Sequence, residues 1–184
     1  MNGALNRGRE MVEGLKWMGV LLMLAVNLAG AEEAGVGYPP NAAEELVAAA
    51  TKQAVAESKL LFLKSGWPEC GYCRMMDRYH HTPEVETILG AYYVVVSINI
   101  NDMPDGKDVF SRFAKPGGPS WAIAKPDGDV IATSFTNGDK GNTGFPVKPN
   151  ELAHYFGALE KATPSISQNE LDILSAQLRK IYGR

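Results

Sequence analysis

The chain has few cysteines, few histidines and no surplus of positive charge, and each shortage removes a class of function. Two cysteines occur in all, so the several-bridge framework that staples small secreted folds is excluded. Three histidines occur, His80, His81 and His154, which limits where a metal could be held. Acidic side chains outnumber basic ones, 21 to 18, and no basic cluster appears, so nucleic acid is not expected as a partner. No flavin or nicotinamide fingerprint is present. With 45% apolar residues in 184, what remains is enough for one domain with a full core and no staples.

The most extended apolar run, Trp17 to Leu28, is shorter than the about 20 residues of a membrane-spanning helix. Arg7, Arg9 and Lys16 precede it and Ala29-Gly30-Ala31 follows. A basic region, a short apolar core and a small-x-small site predict a secretory signal peptide over residues 1–31, cleaved after Ala31. The expected location is therefore periplasmic or secreted. A Gly- and Pro-containing linker follows over 32–40, and the folded domain spans 41–184. Outside the cytosol disulfides persist, and a chain that keeps only one cysteine pair there is expected to use it for reaction rather than for stapling.

That pair is Cys70-Gly71-Tyr72-Cys73, preceded by the turn-rich Ser65-Gly66-Trp67-Pro68-Glu69 and followed by a stretch patterned as a helix. Residues i and i+3 share a helix face, so the two sulfurs can meet with little backbone movement. The first lies where unpaired N–H groups and the positive end of the helix dipole favour a thiolate. A thiolate that is easily formed drives thiol–disulfide exchange. Glu69 opposes this by repulsion, weakly if solvated. Trp67 and Tyr72 read either as an apolar rim for substrate or as packing beside a turn. The alternative is a metal-handling protein, for copper or zinc, that uses Cys70, Cys73 and a nearby histidine. A purely structural bridge is disfavoured, because so short a loop removes little entropy from the unfolded chain.

Along the domain, Asn41 is a candidate cap for a helix to about Ser58, and Lys59 to Lys64 is a continuous apolar run of the kind a strand buried on both faces requires. The cysteine helix is expected to end near His80-His81. A second starts at Thr82-Pro83 and stops at Gly90. Tyr92 to Ile100 gives the strongest strand signal. A helix over about 107–114, a strand over 121–125, a turn at Pro126-Asp127-Gly128-Asp129 and a return strand over 130–135 follow. The Gly- and Asn-rich segment 136–149 reads as a loop, before helices over about 150–163 and 168–182. This order predicts an α/β fold with a central mixed sheet flanked by helices.

Together, the apolar strand, Trp67-Pro68-Glu69-Cys70-Gly71-Tyr72-Cys73, and Gly118-Pro119-Ser120 entering a strand that turns at Pro126-Asp127-Gly128 resemble the thioredoxin-like superfamily. They resemble more narrowly its exported bacterial members with a Pro-Glu-Val helix start after the motif helix. The match covers about residues 41–162; the last helix lies outside what that fold requires. The resemblance implies that Cys70 is the exposed nucleophile, Cys73 the buried resolving thiol, and Pro119 a cis proline facing them. Pro119 and the preceding Gly118 would offer a backbone edge to a substrate peptide. It also implies an exported thiol–disulfide oxidoreductase acting on protein or peptide thiols and disulfides. No cofactor is expected beyond the cysteine couple; an external redox partner is. With no room for a dimerisation domain, a monomer is expected. Three positions depart from thioredoxins proper: Lys64 stands where a buried acid is usual, Glu69 where a tryptophan precedes the first cysteine, and Gly118 where a bulkier residue precedes the proline.

Overall fold

The computed structural model describes residues 37–138 and 140–183; the expected leader over 1–31 lies outside them. Among the described residues no helix is long and apolar enough to cross a membrane. The elements run α1 (Ala42–Glu57), β1 (Leu60–Gly66), α2 (Gly71–His80), α3 (Pro83–Tyr92), β2 (Tyr93–Asn99), α4 (Gly106–Ser111) and β3 (Ser120–Ala124). There follow β4 (Val130–Thr133), β5 (Phe135–Asn137), β6 (Lys140–Asn142), α5 (Pro149–Ala162) and α6 (Gln168–Tyr182).

Alternation along β1 organises the whole molecule. Leu61 and Leu63 point to one face of the sheet, where they pack with Val96 and Ile98 against α1 and α4 residues such as Val47 and Phe110. Phe62 points to the other face, where it packs with Trp121, Met76, Tyr79 and Tyr155. A strand buried on both sides must be apolar throughout its centre, which is what the run from Leu60 to Leu63 supplies. Because the side-chain period is two, Lys64 and Gly66 share the face of Phe62, the side covered by α2. The strand order is β2-β1-β3-β4. β1 and β2 are parallel, with Leu63 opposite Val96, whereas β3 is antiparallel to β1 and to β4. The α/β class with a mixed sheet is therefore observed.

Four local expectations are revised. β1 continues through Ser65 and Gly66, residues read from sequence as turn, because both still pair with β2 and Ser65 also pairs with β3. Gly90 does not stop α3, which runs to Tyr92, with the Tyr93 N–H bonded to the Leu89 carbonyl; the chain passes directly from helix to strand. Asn41 precedes α1 but makes no side-chain cap. Instead Asp105 reaches back, its two oxygens accepting from the N–H groups of Ala43 and Glu44 at 2.9 and 2.8 Å. Burial raises the Asp105 pKa, but these backbone bonds and Arg112 outweigh it and hold the carboxyl below its usual range. Finally, the segment expected as a loop after Phe135 forms the small β5–β6 hairpin, with Gly138 at positive φ in its turn.

The C-terminal helix α6 is an integral part of the core. Leu171, Leu174 and Leu178 are buried in the cluster around Phe62, each worth about 1.5–3 kcal/mol of removed apolar surface. Ser167 and Glu170 form a reciprocal cap at its start, as the S-x-x-E spacing dictates. The Glu170 carboxylate also accepts from the Tyr92 hydroxyl at 3.0 and 3.1 Å, which ties α6 to the end of α3.

Candidate active site

The end of β1 and the start of α2 fix both cysteines. Cys70 N–H donates to Trp67 O at 3.1 Å, closing the turn. Cys70 then takes the cap position of α2 in extended conformation, and its sulfur accepts from Cys73 N–H at 3.2 Å. A backbone donor at the helix start thus already faces the Cys70 sulfur, the group that would carry charge once the bridge opens. Cys70 and Cys73 are joined in a disulfide. Cys70 is half-buried and Cys73 only 6% exposed. Cys70 is therefore the more accessible half of the bridge.

Two glycines make this arrangement possible. A Cβ at Gly66 would lie 2.7 Å from the Cys73 sulfur, so only glycine lets β1 pass directly beneath it. A Cβ at Gly118 would lie 3.1 Å from the Cys70 sulfur and 2.5 Å from two carbons of the Trp67 ring. The Gly118–Pro119 peptide is cis and lies against the disulfide at the start of β3. Gly118, Pro119, Trp67 and the cysteines, separated in sequence, are thus brought together. Tyr72 stands beside them, 54% exposed, and shares a small groove with Gly118 and Pro119. Trp67 packs over Gly118, whereas Tyr72 projects from the start of α2 with most of its surface uncovered.

The proline loop is held by residues that sequence reading did not single out. The Ser65 hydroxyl donates to Gly117 O at 2.8 Å. Asn142, at the end of β6, donates through Nδ2 to Pro119 O at 3.0 Å, and its Oδ1 accepts from Gly144 N–H at 3.0 Å. Gly144 has φ +48°, and a Cβ there would be 2.9 Å from Pro119 O. Asn142 and Gly144 lay within a stretch whose composition read only as loop; the Asn-Thr-Gly order was the sole local signal.

Charge is also placed unexpectedly. Arg74, exposed on α2, donates to Pro68 O at 2.9 Å, beside the motif. Lys64 is 4% exposed, and its ammonium pairs with Asp77, one helical turn beyond Cys73. A cleft of roughly 410 Å³ is lined by Lys64, Asp77, Cys73, Trp67, Met76 and Pro119 among others.

The histidines do not converge on the cysteines. His80 is buried at the opposite end of α2, about 10 Å along the axis from Cys73. Its ring packs edge-on against Phe62, 5.1 Å between centroids, and neither nitrogen has a hydrogen-bond partner. Burial first, then the charges of Lys64 and His81, keeps its pKa well below the usual 6.5. His81 Nδ1 lies 2.8 Å from Asp77 O, and His154 Nε2 lies 2.7 Å from Thr133 O on β4. Among the described residues no three His, Cys, Asp or Glu side chains are placed to hold a metal ion.

A mixed central sheet flanked by helices, with β1 and β2 parallel, a C-x-x-C at the start of the helix after β1 and Gly118–Pro119 before β3, makes this an α/β fold of the arrangement that the thioredoxin-like resemblance implied. No protein-family model matches the chain, and no curated protein matches it. Among solved structures it is similar to a crystal structure of a disulphide isomerase from Xylella fastidiosa Temecula1, at 21% identity and a TM-score of 0.48. That match covers 83% of this chain and 98% of the other.

Proposed function

We propose that this chain is an exported thiol–disulfide oxidoreductase that exchanges disulfides with protein or peptide clients through Cys70 and Cys73. One observation carries the reading: a disulfide whose Cys70 is partly exposed at a helix cap and whose Cys73 is buried behind it, set against the Gly118–Pro119 peptide. In the reduced state the Cys70 thiolate attacks a client disulfide. A bond forms between Cys70 and one client sulfur, and the other client sulfur leaves as thiolate and takes a proton. Cys73 then loses its proton and attacks Cys70 as thiolate, which re-forms the Cys70–Cys73 bridge and releases the second client thiol. Run in reverse, the same steps oxidise a client. Trp67 and Tyr72 flank the approach, and the Gly118–Pro119 edge, bare of a side chain at 118, receives the client backbone. The chain acts as a monomer in the periplasm or outside the cell, with an external protein resetting its redox state.

Trapping tests this. A reduced Cys73→Ser variant is expected to accumulate covalent complexes through Cys70 that a dithiol reductant dissolves. The Cys70→Ser, Cys73→Ser double variant is expected to form none. A Cys73→Ser variant that captures no disulfide-bearing peptide, while folded, would overturn the assignment.

A further inference from the structure

Lys64 is a charged side chain in the interior of a strand otherwise chosen for burial. Its neighbours in β1 are Leu63 and Ser65, and it is the only residue of that strand with a formal charge. Moving an ammonium out of water costs several kcal/mol unless a counter-ion is supplied, and Asp77 supplies it. Asp77 lies on α2 four residues after Cys73, hence on the same helix face. Gly66, two residues after Lys64 and so on the same strand face, lies directly beneath the Cys73 sulfur. Lys64, Asp77 and Cys73 consequently line one cleft.

One other cation faces that cleft, Arg74, and unlike Lys64 it is exposed. From α2 come Asp77 and Arg74, the latter directed to Pro68 O. The segment before α1 contributes the Tyr38 phenol; β2 contributes neutral Ser97 and Asn99; β3 is preceded there by Pro119. His80, further along α2, is buried and uncharged, and Lys59, His81 and Glu86 share a second cleft with Lys64. Lys64 is thus the cation fixed behind the buried sulfur, while Asp77, 52% exposed, opens that space to water.

Resting on the exchange reading above, we infer that Lys64 is a positioning residue for the second step, its ammonium stabilising the Cys73 thiolate that attacks Cys70. A buried carboxylate at this place would act as a base and remove the Cys73 proton. An ammonium cannot, so the proton leaves to water through the open side of the cleft. The cation then lowers the cost of the thiolate left behind. As the Cys73–Cys70 bond forms, the Cys70–client bond breaks and the departing client sulfur takes up one proton. Protons and electrons balance without a further reactant. Asp77 fixes the ammonium and moderates its field.

The reaction of reduced protein with 5,5′-dithiobis(2-nitrobenzoate) separates the two steps. Attack by Cys70 releases one coloured thiolate, and resolution by Cys73 releases the second. With Lys64→Met, the second phase is expected to slow about ten-fold at pH 7 and its pH midpoint to rise by about one unit. The first phase is expected to change little. Lys64→Arg should restore the wild-type profile. Asp77→Asn, which uncovers the cation, should move the second-phase midpoint down, and this keeps the test available if Lys64→Met does not fold. A purely structural role would not produce opposite shifts. Second-phase midpoints unmoved in the folded variants would overturn the inference alone. A wild-type protein showing no first phase would overturn the exchange reading, and this inference with it.

Discussion

The indole of Trp67 fills the space that a side chain at residue 118 would need, its Cη2 and Cζ3 atoms 2.5 Å from where the Gly118 Cβ would stand. What sequence comparison marked as a missing side chain beside the proline is therefore a packed position, filled from the other side of the site. Trp67 closes over Gly118, and Gly118 in turn approaches the Cys70 sulfur.

Gly118→Val is expected to displace Trp67 and crowd Cys70. The cost should be about 1–3 kcal/mol of stability, as for other overpacked sites, together with a clear loss of exchange rate. Trp67→Ala in the same chain should recover most of the stability. Urea unfolding and reduction of a model peptide disulfide check both; a variant matching wild type in each would show that the contact is not needed.

Gly66→Ala sets a methyl group 2.7 Å from the Cys73 sulfur and 3.0 Å from its Cβ. We expect about 1–3 kcal/mol of destabilisation. Because the shorter contact is with the sulfur, Cys73→Ala should relieve most of the cost of the same substitution, leaving the Cβ contact. A double-mutant cycle by chemical denaturation reads this coupling directly; additive effects would contradict it.

His80 makes stability depend on pH. In the unfolded chain it takes a proton near 6.5, whereas burial keeps the folded ring neutral until well below that value. Below pH 6.5 the unfolded state therefore binds the additional proton. Stability should fall as pH falls, by at most about 1.4 kcal/mol per pH unit, until the folded ring itself titrates. The carboxylates held low by hydrogen bonds, Asp105, Glu151 and Glu170, lose their contribution only in more acidic solution. Stability measured between pH 5 and 7 should show the His80 slope, and His80→Phe should flatten it.

Leu174 on α6 is fully buried in the cluster around Phe62 and Trp121. Leu174→Ala should cost about 2–5 kcal/mol, by thermal or urea unfolding. A cost near that of a surface substitution would make α6 a mere appendage.

Much of the architecture was legible because it follows from periodicity. The apolar run before the cysteines could only be a strand buried on both faces, and the 3.6-residue spacing of Leu171, Leu174 and Leu178 required a helix with one covered side. That Gly118 and Pro119 should face the sulfurs came from the family resemblance, not from periodicity or element order. What escaped depends on long-range partners. Asp105 caps a helix 61 residues away, so Asn41 looked sufficient alone. The β5–β6 hairpin is short and exposed, with no apolar alternation to announce it, and it is tied to the sheet through Ser134 and Thr143. Gly90 reads locally as a helix end, but the following residues continue into β2 without needing a left-handed turn. Lys64 was visible as a departure; that Asp77 would neutralise it beside Cys73 was not, since it depends on how α2 lies across β1.

The most direct test of the central claim is the rate of Cys70 alkylation in the reduced protein as a function of pH, with each site resolved by mass spectrometry. The account predicts that Cys70 reacts well before Cys73 and titrates well below the about 8.5 of an ordinary thiol. A Cys70 that titrates as an ordinary thiol, or reacts no faster than Cys73, would contradict it.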